Sequence, residues 1–144
     1  PKYAEKAKLV SDSVKDIGQY LAPEASRLKD LVDASRLPAK PAFHPPCTLQ
    51  HWQGLRPENE ALLRDIGFDL QPFAEIHLCC GSAGAYSVLQ PEIATQLRDR
   101  KLEHLGQAKP DVIVSSNIGC IGHLQSGTDT PVRHWVEVVD EALR

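Results

Sequence analysis

The sequence predicts an α/β fold: a three-layer, Rossmann-like domain with a short, mostly parallel sheet and cysteines on loops at the C-terminal edge of its strands. Three observations lead to this expectation. Helical and extended signals alternate along the chain, as they do where helices cover a parallel sheet. The extended runs are short, apolar and bounded by proline or glycine, Asp111-Val112-Ile113-Val114 after Pro110 being the strongest. Cys47, Cys79 and Cys120 each fall just past such a run. In an open parallel sheet the loops at that edge emerge together and gather ligands.

The elements follow in chain order. Ala7, Val10, Val14, Ile17 and Leu21 recur at steps of three and four, leaving Lys8, Asp12, Lys15 and Asp16 to water. That pattern describes one apolar helix face. It is too short for a coiled coil, so the face is expected to pack on a sheet. Pro23 interrupts the helix, and Leu28, Leu31 and Val32 suggest a second helical piece. Residues 1–37 are therefore read as an N-terminal helical segment packing on the domain, and 38–144 as the cysteine-rich domain.

Pro38, Pro41, Pro45 and Pro46 then cut the chain into short pieces, with Ala42-Phe43-His44 as a brief strand leading to Cys47. Pro57-Glu58-Asn59-Glu60 starts a helix that buries Leu62, Leu63 and Ile66 and stops at Gly67. Phe73 to Leu78 is expected as a further strand, ending at Cys79. Pro91 opens the clearest helix, with Ile93, Leu97 and Leu102 or Leu105 inward and an end near Gly106. Residues 111–114 form the central strand. Asn117-Ile118-Gly119 turns into Cys120, with a short helix through Leu124. Pro131 to His134 is the last strand, and Val136, Val139 and Leu143 mark a terminal helix.

Composition narrows the function. A chain of 144 residues makes one domain and buries a core without staples. Its formal charge of -3, with basic residues dispersed among acids, gives no nucleic-acid partner. No run reaches the roughly 20 apolar residues that span a bilayer. The polar opening does not resemble a secretory signal, and the lack of any Met is expected of a piece of something longer.

The four cysteines carry the chemistry. Two disulfides are one reading, but Cys79 and Cys80 are adjacent and the surroundings resemble an ordinary intracellular α/β protein. Thiolates are strong ligands for soft metals and iron–sulfur clusters. Adjacent side chains on an extended strand point apart, so Cys79 and Cys80 meet one site only through a turn, which Gly81 and Gly84 allow. A multi-iron cluster can take one thiolate on each of two irons, with Cys47 and Cys120 closing the cage. A structural zinc site is the alternative, although no short C-x2-C pair is present. His44, Gly81, Asn117, Gly119 and His123 are possible supports around the cysteines, with His44 also a possible ligand. No dinucleotide fingerprint, P-loop, H-E-x-x-H motif or G-x-S-x-G elbow occurs.

His44-Pro45-Pro46-Cys47, Cys79-Cys80-Gly81 and Asn117-Ile118-Gly119-Cys120 together resemble the cysteine-rich CCG domain family. The spacings agree, with 31 residues between Cys47 and Cys79 and 36 between Cys80 and Asn117. The family occurs in the cysteine-rich subunit of heterodisulfide reductase and in iron–sulfur subunits of glycolate, lactate and glycerol-3-phosphate dehydrogenases. The stretches around the three motifs are most similar to the C-terminal part of glycolate oxidase iron–sulfur subunits.

The resemblance implies that Cys47, Cys79, Cys80 and Cys120 are cluster ligands. Asn117 departs from the pattern, standing where the fuller motif has the first Cys of C-x-x-C. The resemblance therefore implies one cluster with four cysteine ligands, a [4Fe-4S] centre, rather than a five-cysteine double cluster. It further implies electron transfer in a flavin-dependent glycolate dehydrogenase complex, with FAD on a partner flavoprotein subunit and a quinone or other membrane acceptor. The location implied is cytoplasmic and peripheral to the inner membrane. Disulfide or quinone reduction at the cluster, and a non-catalytic assembly module with zinc, remain alternatives.

Overall fold

The computed structural model describes residues 2–143. Three short parallel strands form the sheet: β1 (Pro41–Phe43), β2 (Val112–Ser115) and β3 (Val132–His134), in the order β1-β2-β3. Pro41 pairs with Val112 and Phe43 with Val114, while Ile113 pairs with Val132 and Ser115 with His134. All four residues of β2 are buried, as a central strand covered on both faces must be.

The alternation of side chains along these strands builds two cores. Phe43, Val112 and Val114 join Leu62, Leu63, Ile66, Trp135, Val138 and Val139 on one side. These come from α4 (Arg56–Ile66) and α8 (Trp135–Glu141). Ala42, Ile113 and Val132 join Leu105, Leu124, Cys80 and Cys120 on the other side, beneath α6 (Pro91–Gly106) and α7 (Ile118–Gln125). The expected α/β layering is present.

The opening segment differs from the expectation. It forms α1 (Ala4–Ser13), α2 (Ile17–Leu21) and α3 (Ala25–Leu31). The break after Ser13 comes where Asp16 caps α2 by accepting a hydrogen bond from Gly18 N. Pro23 interrupts the α-helix as expected, lying in a single 3-10 turn between α2 and α3. Val10 and Val14 are 66% and 72% exposed, so the apolar stripe does not face the sheet. In α2 and α3, by contrast, Leu21, Ala25 and Leu28 lie against the core shared with α4. Val32 then bridges to Leu143, and Asp33 N donates to Ala142 O.

The strand expected from Phe73 to Leu78 does not form. From Gly67 to Ala85 the chain has neither helix nor strand, and the short α5 (Tyr86–Leu89) follows. Gln71 N donates to Pro41 O at the free edge of β1, but Pro72 has no N–H with which to extend the ladder. Glu75 then takes a positive φ of 51° and turns the chain away. Along α6 the inward residues are Ala94, Lys101 and Leu105, and Ile93 is exposed.

Candidate metal centre

Each site residue is delivered by a local device. Beyond β1, His44 N donates to Val114 O and Ser115 Oγ donates to His44 O, fixing the strand exit. Pro45 and Pro46 carry the chain to Cys47, which opens a π turn over Thr48–Trp52. Cys79 and Cys80 end the long irregular loop. Gly81 turns it with φ at 89°, and Gly81 N lies 3.3 Å from Cys79 Sγ. A Cβ on Gly81 would collide with the Ala94 carbonyl oxygen, so this turn packs directly on α6.

Asn117 caps α7, its Oδ1 accepting from Cys120 N at 3.1 Å. The cap places Cys120 in the first turn of the helix, so α7 starts one turn earlier than expected. A Cβ on Gly119 would meet Ser82 Oγ at 2.8 Å, bringing the two loops into contact.

All four cysteines line one cavity of about 640 Å³, together with Ser82, Asn117, Gly119 and His123. The sulfurs form a chain of contacts that sets their protonation. Cys79 is held well below the usual thiol range, chiefly by Cys47, then by Cys80, with Gly81 N–H assisting. Cys120 is lowered to about 5, chiefly by Cys80. Cys47 is pushed up by its hydrogen bond to Cys79 and by burial, and Cys80 by its contacts with Cys120 and Cys79. These opposed directions favour the thiolate form at Cys79 and Cys120 and the thiol form at Cys47 and Cys80. Such thiolates are the ligating form.

His44 is fully buried, and neither ring nitrogen has a hydrogen-bond partner among the described residues. Its ring-nitrogen donor and the sulfurs of Cys80 and Cys120 lie within 4.8 Å of one another. A buried imidazole without a partner costs about 1–3 kcal/mol, and a soft metal centre would supply that partner. The donor set of four sulfurs and one imidazole therefore fits an iron–sulfur or zinc centre. His123 lines the cavity and its Nε2 lies 3.1 Å from the Ala94 carbonyl oxygen.

The sequence reading missed Lys101, which is fully buried on α6. Its Nζ donates to the carbonyls of Glu75 and Ile76 and lies 4.9 Å from the centre of the Phe73 ring. The available signal was helical spacing. Lys101 lies seven residues after Ala94 and four before Leu105, on the same inward stripe.

Cysteines on three loops around one cavity, in this order and spacing, form a pattern that can be matched between proteins. The cysteine-rich domain pattern, CCG, matches residues 41–125. The chain belongs to that family. The glycolate oxidase iron-sulfur subunit of Escherichia coli (strain K12) is 48% identical to this CCG chain over 141 residues, covering 98% of the chain and 34% of that subunit. An uncharacterized protein of the same organism, YkgE, is 28% identical over 145 residues, 96% of the chain and 59% of that protein. Lactate utilization protein A of Geobacillus thermodenitrificans (strain NG80-2) is 27% identical over 146 residues, 97% and 60% of the respective lengths. The chain thus spans between about a third and three fifths of these curated relatives.

Proposed function

We propose that this CCG domain holds an iron–sulfur cluster on Cys47, Cys79, Cys80 and Cys120 and passes electrons within a flavin-dependent glycolate dehydrogenase complex. The observation that carries this is the convergence of four cysteines on one cavity, with the buried His44 beside the Cys80 and Cys120 sulfurs. Similarity to a glycolate oxidase iron-sulfur subunit supports the redox role. A [4Fe-4S] centre matches four cysteine ligands. When bound, the cluster accepts and releases single electrons.

The protein's own residues do the holding. Gly81 N–H and the Asn117 cap orient Cys79 and Cys120, Ser115 fixes the backbone of His44, and the core beneath α6 and α7 shields the Cys80 and Cys120 sulfurs. In the complex, a flavoprotein partner would remove two electrons and two protons from glycolate to give glyoxylate. The electrons would leave for a quinone or other membrane acceptor. No helix among the described residues is long and apolar enough to cross a membrane. With such partners, the domain would work in the cytoplasm, at the inner membrane through the complex. Packing of α2 and α3 against α4 supports residues 1–37 as an attached helical segment and 38–144 as the domain proper.

Anaerobic purification followed by iron and labile-sulfide analysis tests the cluster. Iron with sulfide is expected, and Cys79→Ser or Cys80→Ser should abolish loading. Full loading of either variant would remove that residue from the ligand set. In the whole complex, added glycolate should generate the electron paramagnetic resonance signal of a reduced cluster. Silence there would defeat the physiological role.

One observation favours a second reading. The His44, Cys80 and Cys120 donor atoms are close enough to share a single ion, as structural zinc requires. Stoichiometric zinc without sulfide would decide for it.

A further inference from the structure

Among the described residues, Lys101 is the one lysine or arginine that is fully buried. Its three partners are the Glu75 carbonyl at 3.1 Å, the Ile76 carbonyl at 2.9 Å and the Phe73 ring at 4.9 Å, and none is a carboxylate. Burying an ammonium without a counter-charge costs several kcal/mol. Consistent with that cost, burial lowers the Lys101 pKa to about 8. Ionisation of the Cys47, Cys80 and Cys79 sulfurs would favour its charged form.

Both carbonyls belong to the irregular loop that ends at Cys79 and Cys80. The same helix grips Glu75 through Arg100 and His104 as well. That grip is applied where the loop takes its positive φ.

The geometry points to Lys101 as a positioning residue for the metal centre. Its ammonium fastens the loop that delivers Cys79 and Cys80, and its buried positive charge favours the reduced state of a cluster held by four thiolates. The second part rests on the iron–sulfur reading; the first does not. A fixed positive charge near a centre that gains an electron stabilises the product of reduction, strongly so in a medium of low dielectric constant.

The test compares the 144-residue chain with Lys101→Met, Lys101→Gln and Lys101→Arg, each loaded anaerobically with iron and sulfide and titrated electrochemically. In both neutral variants the one-electron equilibrium should shift against reduction by about tenfold, or about 59 mV. Lys101→Arg should keep most of the original potential. Unchanged potential in both neutral variants overturns the inference, as does an equal fall in Lys101→Arg.

The metal-free protein supplies a readout that needs no cluster. Leu78 N bonds Glu75 O, and Gly81 N lies against Cys79 Sγ. Hydrogen exchange at these two amides should quicken in Lys101→Met while β3 is unchanged. Unchanged exchange at Leu78 and Gly81 overturns the fastening role. A neutral variant that takes up no cluster is judged by exchange alone. If the wild type itself binds no iron and sulfide, the iron–sulfur reading fails, and exchange still decides what Lys101 does to the loop.

Discussion

At Gly81, backbone conformation and close packing act together. A side chain there must adopt a φ of 89° and also displace the Ala94 carbonyl, which is itself fixed within α6. Gly84, three residues on, has a φ of 58° and nothing within 4 Å of an added Cβ. Gly81→Ala is therefore expected to cost on the order of 2 kcal/mol or more, and Gly84→Ala about 1 kcal/mol. Urea unfolding of the two variants measures the difference, and equal costs would show that the Ala94 contact yields. Asn117 shows a second use of a single residue. Its side-chain oxygen is engaged in capping α7, which gives this departure from the family's cysteine a structural role.

Among the elements, α1 stands apart because every one of its residues is exposed. A ten-residue helix gains little stability by itself in water. Deleting residues 1–14 is accordingly expected to change the unfolding free energy by no more than about 0.5 kcal/mol. Leu63→Ala in α4, at a fully buried position, should cost about 2–5 kcal/mol. Chemical denaturation of the shortened chain checks this, and a loss as large as that of Leu63→Ala would show that α1 packs on the domain in solution. The same helix explains one failure of sequence reading. An apolar stripe records which side chains could be buried together, but not whether a surface is present to cover them. The run from Phe73 to Leu78 failed for a different reason. Its composition suits a strand, but Pro72 and the turn at Glu75 take it off the sheet edge, and α6 holds it by its carbonyls.

Across the molecule, the legible features were those with short-range chemical causes. Val112–Ser115, Val132–His134 and the Pro57–Ile66 region announced themselves through apolar runs, proline starts and glycine stops. The meeting of Cys47, Cys79 and Cys120 was anticipated from strand ends. Two of those ends belong to real strands, while the third is a loop pinned to a helix. Lys101 was hidden because a charged residue on a buried stripe becomes meaningful only once its carbonyl partners, distant in sequence, are known. Cys80 and Cys120 belong to the core beneath α6 and α7, and this has a practical consequence. Four unbridged sulfurs linked by a chain of contacts are placed to form disulfides once dissolved oxygen removes an electron pair. Stored in air, the chain should lose titratable sulfhydryls in pairs and regain them with dithiothreitol, and on the proposed iron–sulfur reading it should take up iron only after that rescue.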